Sequence, residues 1–289
     1  MSLPKIARID RRYLYVLLFI LVSFPVLVPL KWPITISEHT ENAYDFTQTV
    51  PAGGIVIESF DFGPSTITEN RPQAKAHIFH ARQRGLKVVA LAFWPGGAPI
   101  GEAILKTVYG SAFPNIPEYG TSVVYLGYVA GNEVGMQTFG DNTWNAKGTD
   151  HYGTAIGTLL LMQQCRSAAN FSLWAEWTSG DPGITQVIQF VQGRHGGPSE
   201  VPVITGATAV SVPGIMPYYR AGQISGIMNG LAGAGEYETL LVESTYGYPY
   251  LEALALLDAQ SVGHLLIIAL VIIGNIGYAI SKYRGGKSS

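Results

Sequence analysis

Two apolar stretches bracket this chain, Tyr13 to Leu30 and Leu265 to Ile280, and basic residues stand on the terminal side of each. Each approaches the length of about 20 residues that lets a helix cross a bilayer, so the chain between them folds as a body tethered at both ends. Lys5, Arg8, Arg11 and Arg12 precede the first stretch, while Lys282, Arg284 and Lys287 follow the second. Basic residues favour the cytoplasmic side of spanning helices, which places both termini inside the cell. The expectation is a two-pass protein of the cell membrane. It has a cytoplasmic tail 1–12, a transmembrane helix 13–30, an extracytoplasmic domain 31–262, a second transmembrane helix 263–281 and a cytoplasmic tail 282–289.

Tyr13, Tyr15 and Trp32 flank the first stretch as aromatic residues do at membrane interfaces. A cleavable signal peptide begins in the same way, but no small-x-small cleavage site follows Leu30. Within the second stretch, Asn275 either meets a partner helix or reaches the headgroups.

Seven of the 18 basic residues but only one of the 20 acidic residues lie in the terminal segments, which leaves 11 basic against 19 acidic between them. An outer domain with that acidic excess is not built for nucleic acid. The single cysteine, Cys165, has no partner for an intramolecular disulfide, so the fold depends on packing.

The middle of the chain alternates in a regular way. Apolar runs at 54–60, 86–93, 122–129, 171–177 and 201–208 read as strands, and most stop at a Gly, Pro or Asp turn. Helical patterns at 69–84, 100–109, 154–168 and 184–192 separate them. This is an α/β fold with a mostly parallel sheet and flanking helices. The two halves rhyme, which fits either a duplicated α/β unit or the generic rhythm of such folds. Residues 33–49 read as a connector or edge strand, and the polar segment 135–152 as a long loop over the sheet.

Ligands of open α/β sheets bind beyond the carboxyl ends of the strands. Those ends present Asp61, Trp94, Asn132, Glu133, Trp177 and Asp181, a set of carboxylates and aromatic walls suited to a sugar, a cation or a polar metabolite. The same residue types are also ordinary turn formers. His151 beside Asp150 is a candidate for acid–base work. His77 and His80 share a helical face, but no further ligand stands at metal spacing, so a solvated face is expected and neither metal nor cofactor is assigned.

Gly222, Gly226, Gly230 and Ala234 recur every four residues. A helix here would carry a flat stripe for close approach, either to another membrane protein or copy, or to the sheet of the same domain. The enclosing segment PYYRAGQISGIMNGLAGAGEYE resembles a recurrent stretch of uncharacterised prokaryotic membrane-anchored α/β proteins. In element order, FSLWAEWTSGDPGITQVIQFVQ followed by PVITGATAVSVPG resembles the Clp protease and signal-peptide-peptidase fold. That likeness implies Ser211 as a nucleophile, although Val212-Pro213 replaces the small residues that follow it in the family. The leading expectation is a non-catalytic scaffold or subunit of a membrane assembly, with the bilayer and self-association or other membrane proteins as partners. The alternative is an extracytoplasmic ligand-binding sensor or serine hydrolase.

Overall fold

The computed structural model describes residues 10–285. Lys5, Arg8 and Lys287 of the cationic flanks lie outside the described residues. Six strands form: β1 (Ile55–Asp61), β2 (Lys87–Ala92), β3 (Val123–Tyr128), β4 (Leu173–Thr178), β5 (Val203–Ala207) and β6 (Gly226–Asn229). The longer helices are α1 (Arg11–Leu27), α2 (Glu38–Thr49), α3 (Ile67–Gln83), α4 (Gly97–Tyr109) and α5 (Asn132–Asp141). Three short helices follow, α6 (Thr143–Ala146), α7 (Leu160–Gln163) and α8 (Ile184–Gln186), and then α9 (Val212–Arg220), α10 (Gly230–Glu243) and α11 (Glu252–Gly285). The chain divides into two compact units, Ile34–Ala253 and the two terminal segments together.

The central unit is an α/β domain on one six-stranded, all-parallel sheet, ordered β3-β2-β1-β4-β5-β6. Strands β1 to β5 are almost wholly buried because helices cover both faces, which is why they read as unbroken apolar runs. The core has two parts. One contains Val56, Phe60, Ile78, Ile104, Trp177 and Tyr237, and the other Ile57, Leu91, Phe139, Trp174, Val187 and Ile215. Strands run outward in both directions from the β1–β4 pair, whose register matches Ser59 with Glu176 and Asp61 with Thr178. This is the order of doubly wound sheets, which reverse at that pair.

Several segments differ from the sequence reading. Residues 38–49 form α2, whose buried face consists of Thr40, Ala43 and Thr47, too small and polar to register as an apolar stripe. The expected loop at 135–152 contains α5 and α6. The expected helix at 154–168 shrinks to a 3-10 turn at Ile156–Thr158 and the single turn of α7. A π-helical turn, Val187–Val191, continues α8.

The glycine stripe does not form. Gly222 lies in a turn at φ +73°, Gly226 opens β6, Gly230 begins α10 at φ +56°, and only Ala234 sits within a helix. A Cβ at Gly226 would stand 2.3 Å from the Ala43 backbone, so this glycine lets α2 lie directly on β6. The close approach is therefore helix on sheet within one domain.

In the terminal unit, α1 and the part of α11 beyond Leu254 expose large apolar side chains, among them Phe19 (73%), Leu27 (80%), Ile267 (57%) and Val271 (56%). Among the described residues one helix is long and apolar enough to cross a membrane, over Glu252–Ile280. It encloses the expected second segment. Helix α1 stops at Leu27, close to Pro25 and Pro29, and its 17 residues rise about 26 Å against a hydrocarbon core of ~30 Å. Beyond α1, the Asp258 carboxylate is buried and accepts the backbone N–H groups of Lys31 (2.9 Å) and Trp32 (3.3 Å).

Candidate functional site

The carboxyl edge around the β1–β4 reversal is where a doubly wound sheet ordinarily opens a crevice. Here Asp61 ends β1 fully buried. Its Oδ1 accepts the backbone N–H groups of Phe93 and Trp94, the latter at 2.8 Å, and its Oδ2 accepts the Ser59 hydroxyl. These bonds pin the turn after β2. Trp94 then reaches over the end of β1 to the loop after β4, where its Nε1 donates to the Pro182 carbonyl at 3.0 Å and its ring packs against Gly180. Gly97 seats the same turn on β1, since a Cβ there would meet the Phe60 carbonyl at 1.7 Å. The protein's own indole thus fills the crevice. The turn after β1 carries Asp61 and Pro64 instead of a row of glycines, so the strand order comes without a pyrophosphate cradle.

Glu176 lies beside Asp61 on the same sheet face, also fully buried. Its Oε2 accepts Trp174 Nε1 at 3.0 Å, and its Oε1 has no hydrogen-bond partner. Burial pushes the Asp61 carboxyl up to about 6 even though Glu176, Ser59 and two amides favour its charged form. Burial, together with the negative charge of Asp61, holds Glu176 higher still. Two carboxyl groups this close in a low-dielectric interior do not both ionise readily, and Glu176 keeps the proton.

An open cleft adjoins this pair, between the loops that follow β4 and β5. It holds about 200 Å³ and is lined by Thr178, Gly180, Asp181, Ile184, Thr185, Ser211, Gly214 and Ile215. Asp181 is exposed, and its Oδ1 accepts Gln186 Nε2 at 3.0 Å. Ser211 precedes α9, and its Oγ lies 2.8 Å from Thr208 Oγ1. None of the described residues lining the cleft is a histidine or lysine that could deprotonate Ser211.

The candidates from sequence therefore separate. Asp181 and Ser211 share the cleft, and Asp61 and Trp94 close the neighbouring crevice. Asn132 is exposed at the start of α5 with φ +48°, and Glu133 is half-buried beside it. Trp177 belongs to the other face of the sheet, where its Nε1 donates to Glu58 Oε2 at 2.7 Å. His151 does not pair with Asp150. It lies between the rings of Tyr125 and Tyr152, 3.9 Å from Glu102, while Asp150 accepts the Tyr119 hydroxyl and two turn amides.

His77 and His80 are buried, contrary to the solvated face expected of them. His77 Nδ1 contacts Glu58 at 2.6 Å and its Nε2 contacts Thr47 at 3.1 Å, while His80 Nδ1 meets the Tyr237 hydroxyl at 2.7 Å. Burial lowers His80 to about 3, which keeps it neutral. Gln73 and Asn70 cover the ends of β4 to β6 from this side. Gln73 Nε2 is within reach of the carbonyls of Ala207, Met228 and Gly230, and Asn70 Nδ2 of those of Thr178 and Gly206.

Sequence reasoning missed Glu58, Glu176, Gln73, Thr178, Thr185 and Gly214. The first two carried a usable signal, since a carboxylate inside an otherwise apolar strand run must be buried and so must be partnered or protonated. Comparison of the chain with protein-family models, curated proteins and solved structures gave no match, so the reading of this edge rests on its geometry alone.

Proposed function

We propose that this is a two-pass membrane protein whose extracytoplasmic α/β domain binds a small polar ligand in the cleft between the β4 and β5 loops. The observation that carries the reading is the cleft itself. It opens at the carboxyl edge of the sheet, brings Asp181 and Thr185 of one segment together with Ser211 of another, and lies next to a switch-point crevice already filled by Trp94. At about 200 Å³ it suits a ligand smaller than those of drug-sized pockets, which run ~300–1,000 Å³. Binding alone accounts for these residues, and no catalytic step is assigned.

Gly214 provides the test, because a Cβ there meets nothing within 4 Å and a large side chain enters open space. A panel of small polar metabolites is expected to raise the Tm of the detergent-solubilised protein and to leave Gly214→Trp unmoved. Ligand at a hundred times Kd adds about 2.7 kcal/mol. Equal responses from the two proteins would reject the cleft. Assembly as a scaffold has less support, because Gly226 and Gly230 of the glycines that suggested it serve contacts inside the domain, and Gly222 lies in a turn.

The membrane reading draws on the exposed apolar surface of α1 and α11, which water does not accommodate and lipid does. Three extended residues, Val28 to Leu30, add about 10 Å to the rise of α1, enough to complete a crossing. With the cationic flanks on the inner side, reporters that report only from the cytoplasm are expected to be active when fused to either terminus. Activity of the same reporter inserted after Gly197 instead would reverse the topology.

A further inference from the structure

We infer that the ligand of this cleft is a polyhydroxyl compound, a polyol or a small sugar, held through hydroxyl groups that donate and accept at once; this rests on the cleft being the binding site. One side chain fastens the rim that the β4 loop contributes. Gln186 Oε1 accepts the Gly183 N–H at 3.0 Å and the Thr185 hydroxyl at 2.7 Å, and its Nε2 donates to Asp181 Oδ1 at 3.0 Å. Those three bonds decide which polar groups are left for a ligand.

What is left is of both kinds. Among the described residues the backbone N–H groups of Asp181, Ile184 and Thr185 have no hydrogen-bond partner. Asp181 Oδ2 and the lone pairs of the Thr185 hydroxyl remain to accept. Asp181 and Thr185 therefore each offer a donor and an acceptor. A hydroxyl gives one proton and presents two lone pairs through a single atom, so it serves both halves of such a residue. Across the cleft the Ser211 and Thr208 hydroxyls share one bond at 2.8 Å, which leaves one proton and several lone pairs, again a mixed group. An ammonium would leave the three amides unmet, and a carboxylate or phosphate would leave Asp181 unmet. A zwitterion would bring its anionic end into a site with no cation among the described lining residues. Several hydroxyls on a short carbon chain match every group, and Ile184 and Ile215 supply wall for its C–H surface.

The test uses the full chain in phosphatidylcholine nanodiscs and ligand-detected NMR titrations with four-carbon probes: erythritol, 1,4-butanediol, n-butylamine, butyrate and 4-aminobutyrate. Erythritol is expected to bind the wild type about tenfold or more ahead of the others, the worth of its additional hydrogen bonds. Asp181→Ala should weaken erythritol by about tenfold, and Asp181→Asn, which keeps an oxygen acceptor without the charge, by about threefold. Gly214→Trp should remove it. Phosphatidylglycerol ends in two adjacent hydroxyls, so adding it to the nanodiscs identifies the source: a lower apparent affinity for erythritol assigns a lipid headgroup, and an unchanged one assigns a soluble polyol. A charged probe or 1,4-butanediol that binds as well as erythritol, and is lost in Gly214→Trp, would overturn the polyhydroxyl ligand while keeping the cleft. No difference between wild type and Gly214→Trp with any probe would overturn both.

Discussion

Thermal stability of the α/β domain is expected to fall as the pH is raised above about 6.5, and Glu176→Gln is expected to remove most of that fall. Asp61 and Glu176 both titrate above their ordinary values of 3.8 and 4.5 in the folded chain, chiefly because burial penalises their charged forms. A carboxyl with a raised value binds its proton more tightly when folded than when unfolded. Its contribution is complete below the unfolded value and is lost as pH rises through the folded one. His80 works in the opposite sense. Its lowered value costs stability only as pH falls below about 6.5, where the unfolded chain takes up a proton and the folded chain does not. The Asp61 share is lost by about pH 6, so above that point Glu176 sets the slope of the pair.

Glutamine keeps an acceptor for Trp174 Nε1 and cannot ionise. Once the pH is high enough to ionise Glu176 in the folded chain, Glu176→Gln should therefore exceed the wild type by about 3 kcal/mol, the lower end of what an uncompensated buried charge costs. Melting curves at several pH values read this directly. Parallel slopes in the two proteins would mean that the pair does not share its charge as the structure has it.

The second large effect is at Gly226. A methyl group there falls 2.3 Å from the amide nitrogen and Cα of Ala43 and 2.6 Å from its Cβ. Backbone cannot retreat as a flexible side chain can, so α2 must lift from β6. Gly226→Ala is expected to cost about 4 kcal/mol or more, beyond the usual range of overpacking. Gly222→Ala is the contrast. A Cβ there meets nothing, and only the left-handed φ of +73° is penalised, at about 1 kcal/mol. The comparison also discriminates between functions. A Gly226→Ala protein that melts like the wild type but changes its particle mass in detergent would restore assembly as the role of this segment.

What could be read from the sequence divides along physical lines. Strands β1 to β5 were legible because burial on both faces leaves uninterrupted apolar runs such as Val88 to Ala92, and a Gly or Pro turn closes several of them. Helix α2 was not legible, because it lies on the sheet through Thr40, Ala43 and Thr47, and its tightest contact is supplied by a glycine on the other side. Strand β6 is four residues long and was hidden by the accidental four-residue spacing of Gly222, Gly226 and Gly230. Strand order was out of reach, since β1 pairs with β4 across more than a hundred residues of intervening chain. At the site, Asp181 and Ser211 stood out as polar residues in turns after strands. Their meeting in one cleft depends on β4 and β5 being neighbours, which no local pattern encodes.

The bond between Asp258 and the backbone at Lys31 and Trp32 sets an order of assembly. The ribosome makes the stretch that follows α1 more than 200 residues before it makes the carboxylate that holds it. The segment after α1 therefore stays without this tether until all six strands have been synthesised. The contact between the two ends of the terminal unit forms late, after the sheet has had time to close.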